Sequence, residues 1–149
     1  MVGTFKQGLF NPRNPKKYKG NVSNICFRSS WELEFCKFCD NNINVLEWAS
    51  EEIAIPYVKP TDNRVHTYYP DFWVKYKDKY GKIIQEVIEI KPMDQVNGPR
   101  KNIRNHKQRL YEQLTYAVNV AKWKYATKWC SDRGIKFRLV TEQQLFSGR

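Results

Sequence analysis

Tyr69-Pro70-Asp71-Phe72-Trp73-Val74 and Val87-Ile88-Glu89-Ile90-Lys91-Pro92 are two short runs rich in aromatic and β-branched residues, with charges set among them. Such runs favour strands. Side chains on a strand alternate faces, so Glu89 and Lys91 project from one side and Ile88 and Ile90 from the other. Between the runs, Lys77-Asp78-Lys79-Tyr80-Gly81-Lys82 reads as a hairpin turn. The two strands are then antiparallel neighbours, and Asp71 comes within reach of Glu89.

Working outward, the first of these strands is expected over 65–76, with Tyr68, Phe72, Val74 and Tyr76 on one face and Tyr69, Asp71, Trp73 and Lys75 on the other. Pro70 argues for an edge or a bulge there. The second strand is expected over 83–91. Upstream, Ile53, Ile55 and Tyr57 alternate and predict a strand over 51–58, with a turn at Lys59-Pro60-Thr61-Asp62-Asn63-Arg64. Trp31, Phe35, Phe38 and Cys39 recur at helical spacing and predict a helix over 29–41. Glu32 falls inside that apolar arc. Ser29-Ser30-Trp31-Glu32 is a capping-box pattern in which Glu32 reaches back to the Ser29 amide, so a cap and a site both account for it.

Downstream, 92–99 reads as a loop, and Arg100, Lys101, Arg104, Lys107 and Arg109 follow with no acid among them. Cations at a helix start oppose its dipole, which suggests an anionic ligand; a solvated basic face is the alternative. Leu110, Leu114, Val118, Ala121, Tyr125 and Trp129 carry a helical stripe on to Asp132, with Gly134 as its cap, and this helix is expected to cover the sheet. Ile135, Phe137 and Leu139 alternate as a final strand before a polar tail. The result is an α/β chain: an N-terminal helix, a mixed central sheet of about four strands, a long C-terminal helix and a last strand. Residues 1–24, rich in Gly, Asn, Pro and Lys, read as a basic extended arm on a single domain spanning 1–149.

Composition narrows the partners. The chain has 149 residues, 41% of them hydrophobic, with 26 Lys plus Arg against 15 Asp plus Glu, a net charge of +11. Such a field attracts polyanions, nucleic acid first. No apolar run approaches the roughly 18 residues of a membrane span, and the start carries no secretory pattern. Cys26, Cys36, Cys39 and Cys130 do not form the framework of a small secreted domain, so reduced thiols are expected. The Cys36–Cys39 pair has no second close pair to complete a zinc site.

The order of acids and lysine on consecutive strands resembles the PD-(D/E)xK nuclease superfamily: Pro70-Asp71 matches its first half and Glu89-Ile90-Lys91 its second. That implies a restriction-endonuclease-like fold. Phe27-Arg28-Ser29-Ser30-Trp31-Glu32 resembles the helix start of phage junction-resolving endonucleases and transposase nuclease subunits, which implies that Glu32 joins the active site. With Gly3-Thr4-Phe5-Lys6-Gln7-Gly8-Leu9-Phe10-Asn11-Pro12 it is also similar to the head completion nucleases of T-even-like tailed phages. That likeness implies phage head completion and head–tail joining, with head–neck proteins as partners, in the host cytoplasm during assembly or in the virion.

Phosphodiester hydrolysis needs an activated water and neutralisation of phosphoryl charge. Asp71 and Glu89 offer the hard oxygens that suit Mg²⁺, with Mn²⁺ as a substitute. The resemblance adds the Ile90 carbonyl, and Glu32 for a second metal or an ordered water. Lys91 would position or deprotonate the water. An exposed ion-pair cluster is the plain alternative for Asp71, Glu89 and Lys91, opposed by the apolar residues that flank them. Arg13, Lys16, Lys17, Lys19, Arg100, Lys101, Arg104 and Lys107 are the candidate DNA phosphate contacts, which predicts weak sequence preference and steep salt dependence. Two other functions share this fold: a non-catalytic DNA-binding structural head protein and a junction resolvase.

Overall fold

A computed structural model describes residues 7–147, with side chains through Gln144; residues 1–6 of the predicted arm and the last two of the tail lie outside the described residues. In chain order the elements are β1 (Gly8–Leu9), β2 (Cys26–Phe27), α1 (Ser30–Asn41), β3 (Val45–Ser50), β4 (Ile55–Lys59), β5 (Arg64–Tyr68), β6 (Phe72–Lys77), β7 (Ile83–Ile90), α2 (Met93–Val96), α3 (His106–Ser131), β8 (Lys136–Val140) and α4 (Glu142–Ser147). The expected mixed sheet has four strands in the order β3-β6-β7-β8. Its first three strands run antiparallel, and β8 lies parallel to β7. A parallel neighbour requires a long crossover, and α3 supplies it.

Two apolar layers flank the sheet. On one face Phe35, Cys36 and Cys39 of α1 pack with Trp48, Phe72, Val74, Ile88 and Ile90. On the other, Ile55, Tyr57 and Tyr68 of the β4–β5 hairpin pack with Ala126, Val118, Ala121 and Trp129 of α3 and with Phe137 of β8. Residues of the arm close the first layer. Tyr18 is buried against Trp48, and the Lys19 amide donates to the Trp48 carbonyl at 2.8 Å, covering the outer edge of β3 that would otherwise be open to pairing.

Several expectations need correction. The predicted strand over 51–58 misses β3, because Val45, Trp48, Ala49 and Ser50 are all buried and leave no simple alternation to read. Between β3 and β4, Glu51 turns the chain at φ 55°. The predicted strand over 65–76 is two strands. Pro70 ends the first, β5 leaves to pair with β4, and Tyr68 therefore faces the opposite layer from Phe72.

The long helix begins later than its basic run. Asn105 caps α3, its side chain accepting from the Gln108 backbone amide, so Arg100 and Lys101 lie ahead of the helix, Arg104 is next to its cap, and Lys107 and Arg109 stand in its first turn. The expected loop over 92–99 contains α2. At the far end Asp132 is the cap residue, and Gly134, at φ 70°, turns the chain into β8. Only the C-terminal half of α3 covers the sheet; Leu110, Tyr111 and Leu114 remain exposed. The polar tail is partly helical as α4.

Candidate active site

The candidate site forms where β6 begins and β7 ends. The β6–β7 ladder has its final pair at Phe72 and Ile88, so the edge of Ile90 has no strand partner there. Asp71 fills the gap: its Oδ2 accepts a hydrogen bond from the Ile90 amide at 2.8 Å. A strand residue directs its N–H and C=O towards the same neighbour, so the Ile90 carbonyl faces the same gap. On the other side the Lys91 amide donates to the Val140 carbonyl at 2.9 Å, and the parallel strand β8 holds the end of β7 in place.

Glu89 sits deeper. It is 8% exposed, and its Oε1 accepts from the Tyr68 hydroxyl at 2.7 Å and from the Asp71 amide at 3.3 Å. Its Oε2 lies 3.7 Å from Lys91 Nζ. Burial pushes both carboxyls above their usual range; Asp71 is raised further by the charges of Glu89 and Glu32, while Lys91 and the Tyr68 hydroxyl partly offset the shift of Glu89. Two carboxyls held side by side with little solvent ionise together only beside a positive partner. Asp71, Glu89 and Lys91, read from strand alternation, thus converge as expected.

Glu32 caps α1 and also lies close to the acids. Its amide donates to Ser29 Oγ at 3.1 Å, and its Oε1 accepts from the Arg28 amide at 3.4 Å. The box therefore closes on Arg28, one residue earlier than the Ser29 amide expected. The same carboxylate is near enough to Asp71 to raise it, and its own burial raises it in turn.

Three neighbours escaped the sequence reading. Tyr68 orients Glu89. Glu51 donates its amide to the Asp71 carbonyl at 3.1 Å and pairs through its side chain with Arg28, tying the α1 cap to the strand that carries Asp71. Lys122 of α3 stands over the rings of Tyr68 at 5.6 Å and Tyr57 at 6.0 Å, and its charge reaches Glu89. No local pattern marks these residues, since each acts across long sequence separations. Only the left-handed turn at Glu51 is a local feature, and no composition rule predicts it.

Whether the site suits a divalent cation can be judged from its donors. Among the described residues no three His, Cys, Asp or Glu side chains form a ready metal cage. Two carboxylates and a carbonyl are nevertheless a hard oxygen set, and Mg²⁺ typically keeps several waters and takes one or two protein carboxylates. The residues fit such an ion. Cys36 and Cys39 are buried in the core and offer no alternative centre.

The candidate DNA contacts divide into two groups. Lys17 Nζ donates to the Asp40 and Asn42 carbonyls, Lys19 pairs with Glu47 at 2.9 Å, and Arg100 pairs with Glu112 at 2.5 Å. Arg13, Lys16, Lys101, Arg104 and Lys107 are exposed, and their side chains have no ion-pair partner among the described residues.

Comparison with known proteins bears on the whole chain. The family model described as "TnsA-like endonuclease N terminal" matches residues 42–142, a span that includes Asp71, Glu89 and Lys91. The head completion nuclease of Enterobacteria phage T4 is 36% identical over 142 residues, covering 93% of this chain and 92% of that protein.

Proposed function

The chain belongs to the TnsA-like endonuclease N-terminal family, within the PD-(D/E)xK nuclease fold, and on that premise we propose that it is a Mg²⁺-dependent DNA nuclease of phage head completion and head–tail joining. The observation that carries the reading is the Asp71–Glu89 pair, two neighbouring carboxyls largely withdrawn from solvent with Lys91 beside them. An idle pair of this kind is expensive to keep.

Asp71, Glu89 and the Ile90 carbonyl would hold Mg²⁺ or Mn²⁺, which supplies Lewis-acid polarisation of the scissile phosphate. Lys91 Nζ lies 3.7 Å from Glu89 Oε2, beside the acid pair. It is placed to orient the attacking water and to face the charge that develops on the phosphoryl oxygens. Tyr68 holds Glu89 in a single orientation. Glu32, anchored by the Arg28 amide, lies close to Asp71 and would orient a water or hold a second cation. Contacts from exposed Lys and Arg side chains to phosphates carry no base information, so little sequence specificity is expected.

The test uses linear and circular DNA, with Mg²⁺ or a chelator, for the wild type, Asp71→Ala and Lys91→Ala. Expected are Mg²⁺-dependent cleavage by the wild type, loss of at least about 100-fold in either variant, and DNA binding kept by Lys91→Ala. Cleavage of the circle identifies endonuclease action. Equal cleavage by the wild type and Asp71→Ala would overturn the mechanism.

A further inference from the structure

A groove of about 420 Å³ opens beside Lys91, between the segment that follows β7 and the first half of α3. Its size lies within the roughly 300–1,000 Å³ of small-ligand recesses. Lys91 belongs both to this groove and to the candidate active site, so whatever fills the groove lies next to the scissile phosphate.

The lining argues for a particular occupant. Its charged residues are Lys91 and Arg100 against Asp94 and Glu112, and these balance, in a protein of net charge +11. A groove built to track a phosphate backbone would keep an excess of cations. This one instead presents tyrosine rings and side-chain amides. Tyr111 is 64% exposed, and the Gln95 and Asn119 amides have no hydrogen-bond partner among the described residues. Gly98, at φ 96°, lets the loop close on Tyr116, whose ring lies 3.5 Å from where a side chain at Gly98 would begin, and this holds that wall of the groove. A neutral surface with a free aromatic face and amides open to a ligand suits a nucleobase, which stacks through its face and hydrogen-bonds through its edge.

We propose that this groove is a subsite for one unpaired nucleotide of the DNA substrate, with its base against Tyr111, its edge met by Gln95 and Asn119, and its adjoining phosphate delivered to Lys91. The proposal rests on the nuclease reading and adds a preference: the protein favours DNA with an unpaired nucleotide beside the cut.

The experiment is run in chelator, so that it does not depend on cleavage. Affinity is measured for a duplex carrying one unpaired 5-iodouracil and for its fully paired counterpart, and photocross-links are mapped by peptide mass spectrometry. The wild type is expected to bind the unpaired duplex about tenfold more tightly and to cross-link within tryptic peptide 110–122, which carries Tyr111, Tyr116 and Asn119. Tyr111→Ala brings the affinity ratio close to one. Tyr80→Ala, on the turn at the opposite end of β7, keeps both the ratio and the cross-link. Equal affinities for the wild type, cross-links confined to other peptides, or a preference that survives Tyr111→Ala each overturn the proposal. The nuclease reading fails separately, if Mg²⁺ produces no cleavage of either duplex while the preference persists.

Discussion

Glu112 shows how one side chain can dock a loop. Its carboxylate accepts hydrogen bonds from the Arg100 guanidinium and from the Gln108 amide at 2.9 Å, which join the segment before α3 to the helix itself. These bonds hold its pKa down from 4.5 to about 2. A carboxyl depressed on folding contributes stability that is present above its unfolded pKa and is lost as pH falls through the folded one. The docking should therefore be intact above about pH 4.5 and fail towards pH 2. Carbon-13 NMR of the Glu112 side chain is expected to give a midpoint near 2, and a clearly higher one in Arg100→Gln, where the Gln108 bond remains. A wild-type midpoint near 4.5 would mean that Arg100 is free for DNA. Legibility also differs residue by residue: Glu89 and Lys91 could be paired from alternation alone, whereas Tyr68 could not be assigned to Glu89, because Pro70 moves it to the other layer.

At the scale of elements, the arm is fastened to the C-terminal end of α1. Asp40 is 2% exposed and accepts from the Arg13 amide at 2.8 Å and the Asn14 amide at 2.9 Å, while the Asn14 side chain donates back to the Asp40 carbonyl. Lys17 satisfies the Asp40 and Asn42 carbonyls at the helix end, where a cation also complements the dipole. Asp40→Ala removes acceptors from two amides at once and should cost about 2–3 kcal/mol, read as a lowered urea midpoint. Limited trypsin digestion should also cut faster after Arg13 and Lys16. An unchanged midpoint together with unchanged digestion would show that the arm is held elsewhere. In the sequence this segment reads as an extended basic arm, and the partnership with Asp40 could not be seen because it joins residues 26 and 27 positions apart.

For the whole molecule, net charge predicts a polyanion partner, but the structure determines which charges remain available. Lys17, Lys19 and Arg100 are paired with groups of the protein itself, the last two at its surface, while Lys101, Arg104 and Lys107 sit exposed beside the groove and α3 without an ion-pair partner among the described residues. Lys101→Gln and Arg104→Gln should each lower the slope of log affinity against log salt by about 0.9, the contribution of one phosphate contact on duplex DNA. Lys17→Gln should act on stability instead. Fluorescence anisotropy across a salt series checks both, and a slope that does not respond to Lys101 and Arg104 would move the interface to another face.

The sequence by itself determined the strand pair that carries Asp71, Glu89 and Lys91, the helix with its Ser29 cap, and the long helix followed by a last strand. Those features follow from periodicities of two and 3.6 residues, which are local properties of the chain. Only the tertiary structure decided that β3 is the buried outer partner of β6, that β4 and β5 leave the sheet, and that Glu51, Tyr68 and Lys122 gather around the acids. It also decided that half of α3 stands clear and leaves a neutral groove beside Lys91. Those outcomes depend on which surfaces meet across long separations, and no window of neighbouring residues contains that information.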